Sequence, residues 1–191
     1  MPHKQVGFTL VELVVVIVIV GLLAVAALPR FLDITNEAKK ASVEGVAGGF
    51  STGVLSARAQ WEAESRPSIS VDSESYNSVN YDGVNFWLTR SRTSSGASTG
   101  YRDGYPLAIN TGNSSFPTEI TADDCIDLME NLLQNPPQVG SVGDANSNSN
   151  IKYSAQADGT NATCTYIQQE GGSEHQFVYD ARTGRVMVTL Q

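Results

Sequence analysis

A single carboxylate, Glu12, lies inside an apolar run that is long enough to cross a membrane. From Phe8 to Leu28, only Thr9 and Glu12 carry polar side chains, and a bilayer core needs about 20 apolar residues in a helix. An acidic residue deep in such a segment costs roughly 2.5–3.5 kcal/mol on insertion scales. Because intramembrane acids are normally paired, the chemistry of this segment depends on the partner of Glu12.

The basic side chains nearest to Glu12 are Lys4 and Arg30, and we expect no partner within its own helix. Cleavage after Gly7 would leave Phe8 with a free α-amine, a cation that can neutralise Glu12 of a neighbouring copy. A secretory signal has its small-residue cleavage site after the apolar run, whereas here the glycine precedes it. The alternative is an ordinary single-pass anchor with an intramembrane glutamate.

The residues from Gly7 to Leu13, Gly-Phe-Thr-Leu-Val-Glu-Leu, resemble the class III signal of type IV pilins and type II secretion pseudopilins. The resemblance implies a prepilin peptidase that cuts after Gly7 and N-methylates Phe8, and it makes Glu12 the assembly residue. It also implies an α+β pilin fold, in which a long N-terminal helix packs on a C-terminal antiparallel sheet of about four strands. The implied partners are other pilin subunits and an inner-membrane assembly platform, with no cofactor.

Two short segments after the apolar run narrow the resemblance. Residues 29–32 and 36–38, Pro-Arg-Phe-Leu and Asn-Glu-Ala, resemble the mannose-sensitive haemagglutinin (MSHA) pilin group, and residues 48–61 resemble its second pilin-like component. This implies a minor or priming subunit of an adhesive pilus. Two alternatives stay open, a type II secretion pseudopilin and a single-pass periplasmic binding domain that never assembles.

The composition fits one membrane segment and one polar domain. The chain has 191 residues, with 12 basic and 20 acidic side chains and a net charge of −8. This acidic balance argues against nucleic acid as a partner, because phosphate binding needs clustered Lys and Arg.

Two cysteines, Cys125 and Cys164, lie in the polar part of the chain. In an exported domain they favour a disulfide, and two buried free thiols are the alternative. The disulfide would close a loop of about 40 residues, which stabilises by roughly 3–4 kcal/mol. Together with His175 they are too few for a zinc site. With the family resemblance, the pair implies a periplasmic C-terminal domain in which residues 125–164 face solvent or partners.

The helical pattern continues beyond the apolar run. Apolar residues recur at three- and four-residue steps and form one stripe: Val43, Ala47, Phe50, Val54, Ala57 and Trp61. We predict one helix from about Phe8 to Glu64, kinked at Pro29 because proline removes a backbone donor. The expected divisions are a leader (1–7), a transmembrane half (8–28), an amphipathic half (29–64) and a globular domain (65–191).

Four glycines interrupt the amphipathic half: Gly45, Gly48, Gly49 and Gly53. Each costs about 1 kcal/mol relative to Ala in a helix interior. One interpretation is that the sheet packs closely on this small-residue face. The other is tight contact between helices of neighbouring subunits in a fibre.

In the globular domain, polar and Ser/Gly-rich stretches predict loops at 65–80, 90–104 and 140–150. Thr121 is a predicted N-cap of a short helix that buries Ile126, Met129 and Leu133 and stops before the two prolines at 136–137. Strands are predicted at 84–88, 151–154, 163–168, 176–179 and 186–190, and Thr183-Gly184 joins the last two in a hairpin.

Catalysis finds little support in the sequence, and we do not expect an enzyme. His175 lies in a polar turn and is expected to be exposed, and no nucleophile motif accompanies it. Asp144, Asn146, Asn148 and Asn150 alternate as calcium ligands do, but the terminal Glu of an EF-hand loop is missing. We therefore interpret this segment as a solvated loop.

Overall fold

The computed structural model describes residues 7–112, 115–172 and 174–191. It contains two compact units, which divide between Lys40 and Ala41. Helices are α1 (Leu10–Ala63), α2 (Ala122–Leu132) and α3 (Val142–Ser147), with a 3-10 turn at Glu170–Gly172. Strands are β1 (Ser68–Val71), β2 (Glu74–Tyr81), β3 (Val84–Leu88), β4 (Pro106–Ile109), β5 (Val139–Ser141), β6 (Tyr153–Asp158), β7 (Thr163–Gln168), β8 (Gln176–Asp180) and β9 (Arg185–Thr189). Leader residues 1–6 lie outside the described residues.

The first part of α1 is an apolar helix without a core of its own. It begins at Leu10, two residues after the predicted start, and it continues through Pro29. By length and composition it can cross a membrane, and none of its most apolar window is buried within the molecule. The kink predicted at Pro29 stays a prediction.

The second part of α1 buries the predicted apolar stripe against the five-stranded sheet. Phe50 is fully buried, and its ring lies 5.3–5.8 Å from those of Tyr166, Phe177 and Tyr179 on β7 and β8. Aromatic contacts of this geometry add to the stabilisation from burial alone. The long helix packed on an antiparallel sheet confirms the predicted α+β fold.

The strands form two sheets, with orders β1-β2-β3-β4 and β5-β6-β7-β8-β9. Strands β6 to β9 are consecutive and antiparallel, which confirms the predicted four-stranded arrangement and its final hairpin. A fifth strand, β5, pairs in parallel with β6. It lies in the segment 140–150 that we predicted to be a loop, and α3 follows it directly.

The loop predicted at 65–80 is wrong, because β1 and β2 form an antiparallel hairpin there. The strands are polar, so hydrophobic alternation did not reveal them. Their polar groups are satisfied by neighbours instead. The Ser78 hydroxyl, for example, donates to the Phe86 carbonyl at 2.9 Å although Ser78 is buried. Strand β4, which also lacked a predicted counterpart, completes this four-stranded sheet.

Helix α2 begins as predicted, with Thr121 at its N-cap. The Thr121 hydroxyl and the Asp124 carboxylate form a reciprocal capping box. The buried face differs from the prediction. Met129 is buried as expected, but Ile126 and Leu133 are only partly buried, and the other fully buried residues are Cys125, Leu128 and Leu132.

A disulfide joins α2 to β7. Cys125 and Cys164 are both fully buried, their Cα atoms lie 5.6 Å apart, and 39 residues separate them. The buried Tyr166 hydroxyl donates to the Cys125 carbonyl at 2.7 Å, and burial raises the pKa of Tyr166 well above its ordinary value. The bond therefore lies in the same core that α1 covers.

Two of the four glycines, Gly49 and Gly53, lie against the C-terminal end of α2 and not against the sheet. A Cβ added at Gly53 would lie 2.3 Å from the Leu132 carbonyl oxygen, and one at Gly49 would lie 3.0 Å from a leucine methyl. Gly45 and Gly48 have no heavy atom within 4 Å of the position of a Cβ. Close packing is found at Gly49 and Gly53, but the expectation that the sheet packs there is wrong, because the neighbour is the end of α2. Gly45 and Gly48 lie on an open surface.

Gly53→Ala and Gly48→Ala should change stability in opposite directions. The first drives a methyl group into the end of α2 and should lower the free energy of unfolding by about 1–3 kcal/mol. The second adds helix propensity in open space and should raise it by about 1 kcal/mol. Chemical denaturation of the full chain in detergent micelles, followed by tryptophan fluorescence, measures both. Equal effects would contradict the packing described.

Candidate assembly site at the N-terminus of α1

Thr9 and Glu12 form a capping box at the first turn of α1. The Thr9 backbone N–H donates to Glu12 Oε2 at 2.9 Å, and the Thr9 hydroxyl donates to the same oxygen at 2.8 Å. In return, the Glu12 N–H donates to the Thr9 hydroxyl oxygen at 3.2 Å. This is the arrangement in which a capping residue and an acid three positions later satisfy each other's backbone donors.

The expectation that Glu12 has no partner in its own helix is therefore wrong. Thr9 supplies both a backbone and a side-chain donor, and a cut after Gly7 would leave both donors in place. The sequence carried this signal, because Thr-x-x-Glu before an apolar run is a capping-box pattern. The partner is therefore a neutral residue one turn away and not a cation.

The box uses one of the two carboxylate oxygens. Among the residues that the structure describes, Glu12 Oε1 accepts no hydrogen bond, while Oε2 accepts two. The charge also lies in the first turn, where the unpaired N–H groups of the helix favour a negative group. The site thus holds Glu12 in one orientation and leaves an acceptor for a further donor.

The surface next to this site is apolar. Between Phe8 and Ile34, the exposed fraction of the large apolar residues ranges from 44% at Val14 to 83% at Phe8. Contiguous apolar surface on this scale marks an interaction with lipid or with another protein. None of the described residues of this unit covers the surface, which suits contact with lipid tails or with neighbouring helices.

His175, the remaining histidine that the sequence offered as a candidate, has a structural contact of its own. His175, which we expected to be exposed, is only 4% exposed, and its Nδ1 accepts a hydrogen bond from the Gln191 N–H at 3.0 Å. This hydrogen bond holds Gln191 beside the residue that precedes β8. The polar residues around His175 in the sequence did not reveal this tertiary contact.

Asp144, the acidic residue of the segment whose polar residues alternate as calcium ligands do, has a structural role. Asp144 forms a capping box with Ser141 at the start of α3, and hydrogen bonds from the Ser141 side chain and backbone hold the pKa of this carboxyl below its ordinary value. Within the described ranges, no group of three or more His, Cys, Asp or Glu side chains is placed to hold a metal ion.

The apolar helix and the fold define a class of protein, one that combines a helix able to span a membrane with an α+β domain. The family model "Prokaryotic N-terminal methylation motif" matches residues 2–28. Fimbrial protein EcpC of Eikenella corrodens is 32% identical over 135 residues, which cover 64% of this chain and 88% of that protein. The chain belongs to the type IV pilin family.

A second relative is similar only at the N-terminal end. The type IV narrow pilus major component PilA5 of Thermus thermophilus is 54% identical over 41 residues, 22% of this chain and 35% of that protein. The chain thus matches about a third of the length of this relative. No solved structure matches the chain significantly.

Thr9→Val should loosen the first turn of α1, because valine keeps the shape of threonine but cannot cap. Loss of such a cap costs about 1 kcal/mol, so the Glu12 amide, which donates to the Thr9 hydroxyl oxygen, should exchange faster in micelles. Thr9→Ser, which keeps the hydroxyl, serves as the control and should retain slow exchange. Unchanged exchange in Thr9→Val would show that the box does not hold Glu12.

Proposed function

We propose that this chain is a minor or priming subunit of an adhesive type IV pilus of the MSHA type. The precursor is cut after Gly7, N-methylated on Phe8, and polymerised through α1. The observation that carries the proposal is the oriented Glu12 carboxylate, with one oxygen free, beside the exposed apolar segment from Phe8 to Ile34. The resemblance of residues 29–32 and 36–38 supports the MSHA type.

In this mechanism Glu12 Oε1 accepts a hydrogen bond from the α-amine of a neighbouring Phe8. A charge pair in an apolar core adds little net stability but is costly to break, so it acts as a device that fixes the axial step between subunits. Burial of the Val, Ile and Leu side chains supplies the cohesion. The Thr9 donors remain on Oε2 and keep the carboxylate oriented for this contact.

The partners in this proposal are other pilin subunits, the prepilin peptidase and an inner-membrane assembly platform. Before assembly, residues 8–28 span the inner membrane, with the C-terminal domain in the periplasm, and the assembled subunit is extracellular. The disulfide between Cys125 and Cys164 supports this orientation, because such bonds persist in oxidising compartments.

Processing is tested by the intact mass of the mature chain. The chain should begin at Phe8 and be heavier than the bare sequence by one CH2 unit, and fragmentation should place the methyl group on the α-amine. Replacement of Gly7 by a bulky residue should leave the precursor uncut. A mature chain that begins at another residue would contradict the proposal.

Assembly is tested with Glu12→Ala, which leaves the neighbouring α-amine without its acceptor. Incorporation into sheared surface fibres should fall at least tenfold, while cleavage and the disulfide stay normal. Glu12→Asp should be intermediate because its arm is shorter, and Glu44→Ala, an exposed acid on the same helix, is the control. For a priming subunit, fibre number falls while fibre length is kept.

The fractionation also separates the alternatives. A pseudopilin would stay with the cell envelope and support secretion, and a non-assembling binding domain would be absent from fibres of any kind. Normal incorporation and fibre number with Glu12→Ala would overturn the mechanism.

A further inference from the structure

Residues 29–40 of α1, the juxtamembrane segment, directly follow the part of the helix that is proposed to span the membrane. Within this segment Phe31, Leu32 and Ile34 are 68%, 56% and 68% exposed. The matching family model ends at residue 28 and therefore describes none of the segment. Exposed apolar side chains of this size mark contact with lipid or with another protein.

The juxtamembrane segment has one apolar face. At about 100° per residue, Phe31, Ile34 and Ala38 lie within the same third of the helix circumference. Thr35 lies on this face too, and its hydroxyl donates to the Phe31 carbonyl at 2.9 Å. Because that donor is already bonded, Thr35 can face apolar surroundings without an unsatisfied hydroxyl. Leu32 lies at the border of the face.

The opposite face is polar and carries Arg30, Asp33, Asn36, Glu37 and Lys40. The Lys40 ammonium and the Glu37 carboxylate form an ion pair at 3.4 Å on this face. With Lys39 at the border, the segment has three basic and two acidic side chains, so its net charge is +1 while that of the whole chain is −8. A helix with an apolar face and a slightly basic polar face suits a membrane surface that contains anionic lipid.

The length of the span indicates where this helix lies. From Leu10 to Leu28 the helix rises about 28 Å, close to the roughly 30 Å of a bilayer core. If α1 continued along the membrane normal, Ile34 would lie about 9 Å beyond Leu28 and Ala38 about 15 Å beyond it. The headgroup layer is only about 5–8 Å thick, so both side chains would stand in water. A segment that lies along this layer keeps them toward the acyl chains.

Pro29 lies at the junction between the span and the juxtamembrane segment. It has no N–H to donate to the Val25 carbonyl, so the helix lacks one backbone hydrogen bond there and bends at a lower cost. Arg30 follows on the polar face, where a long cationic side chain can reach headgroup phosphates. The chain thus has a bend site where the bilayer core ends and an amphipathic helix directly after it.

We propose that, in the membrane-stored subunit, the juxtamembrane segment lies along the periplasmic headgroup layer of the inner membrane. Phe31, Ile34 and Ala38 face the acyl chains, and the phospholipids of that layer are the partner of this face before assembly. The inference rests on the membrane span of residues 8–28 that is proposed above. It adds a second contact with the membrane, which the subunit has to lose before it can enter a fibre.

The test uses the full chain in nanodiscs of phosphatidylethanolamine and phosphatidylglycerol, with one chain in each disc. A water-soluble gadolinium chelate enhances the NMR relaxation of each backbone amide according to its exposure to water. Along residues 30–40 the enhancement should follow the helical period of about 3.6 residues. It should be at least threefold lower at Phe31, Ile34 and Ala38 than at Asp33 and Glu37. The amides of residues 10–28 should stay protected and serve as the reference for the span.

Two variants test the apolar face. Ile34→Gln should abolish the periodic protection of residues 31–38, whereas Glu37→Gln, on the polar face, is the matched control and should keep it. Circular dichroism checks that both variants retain their helix content.

A steady rise of the enhancement from residue 30 to residue 40, without a period, would overturn the proposal. Protection that appears only with two or more chains in a disc would also overturn it, because a neighbouring helix would then cover the face. Exposed amides within residues 10–28 would instead contradict the membrane span itself, and this inference would fall with it.

Discussion

The structure depends on one constraint, that a single helix has to satisfy two different surroundings. The first part of α1 exposes only apolar side chains apart from Thr9 and Glu12 in its first turns, and so needs lipid or other helices around it. The second part buries one stripe against a sheet and exposes the rest to water. The N-terminal part of the helix needs apolar surroundings, and the second part has to stay packed on the sheet. The same helix therefore carries an apolar contact surface at its N-terminal end and a water-exposed domain at its C-terminal end.

Glu12 is tolerated in the apolar part because its charge is shared locally. Among the described residues, the capping box with Thr9 is one of three, and the other two begin α2 and α3. In those helices the box only starts a turn at a water-exposed surface. In α1 the same geometry places a carboxylate, with one oxygen unused, among apolar residues, and this difference in surroundings turns a helix-starting device into a candidate contact between subunits.

The C-terminal domain is held together by contacts between distant segments. The disulfide links α2 to β7, and Gly53 lets α1 approach the last carbonyl of α2. Arg58 of α1 donates to the Tyr105 hydroxyl at 2.6 Å and lies over its ring. These contacts fix the second part of α1 against the core of the C-terminal domain.

The sequence by itself determined the apolar helix, the buried stripe from Val43 to Trp61 and the last four strands, because each of these has a strong local pattern. It also determined the leader motif, because Gly7, Phe8 and Glu12 lie close together in the sequence. Only the tertiary structure decided the β1–β2 hairpin, the burial of His175 and the stacking of Tyr76 on Phe116. The burial of His175 and the stacking of Tyr76 on Phe116 rest on partners far away in the chain. The β1–β2 hairpin is local, but its polar strands carry no hydrophobic period that could reveal it.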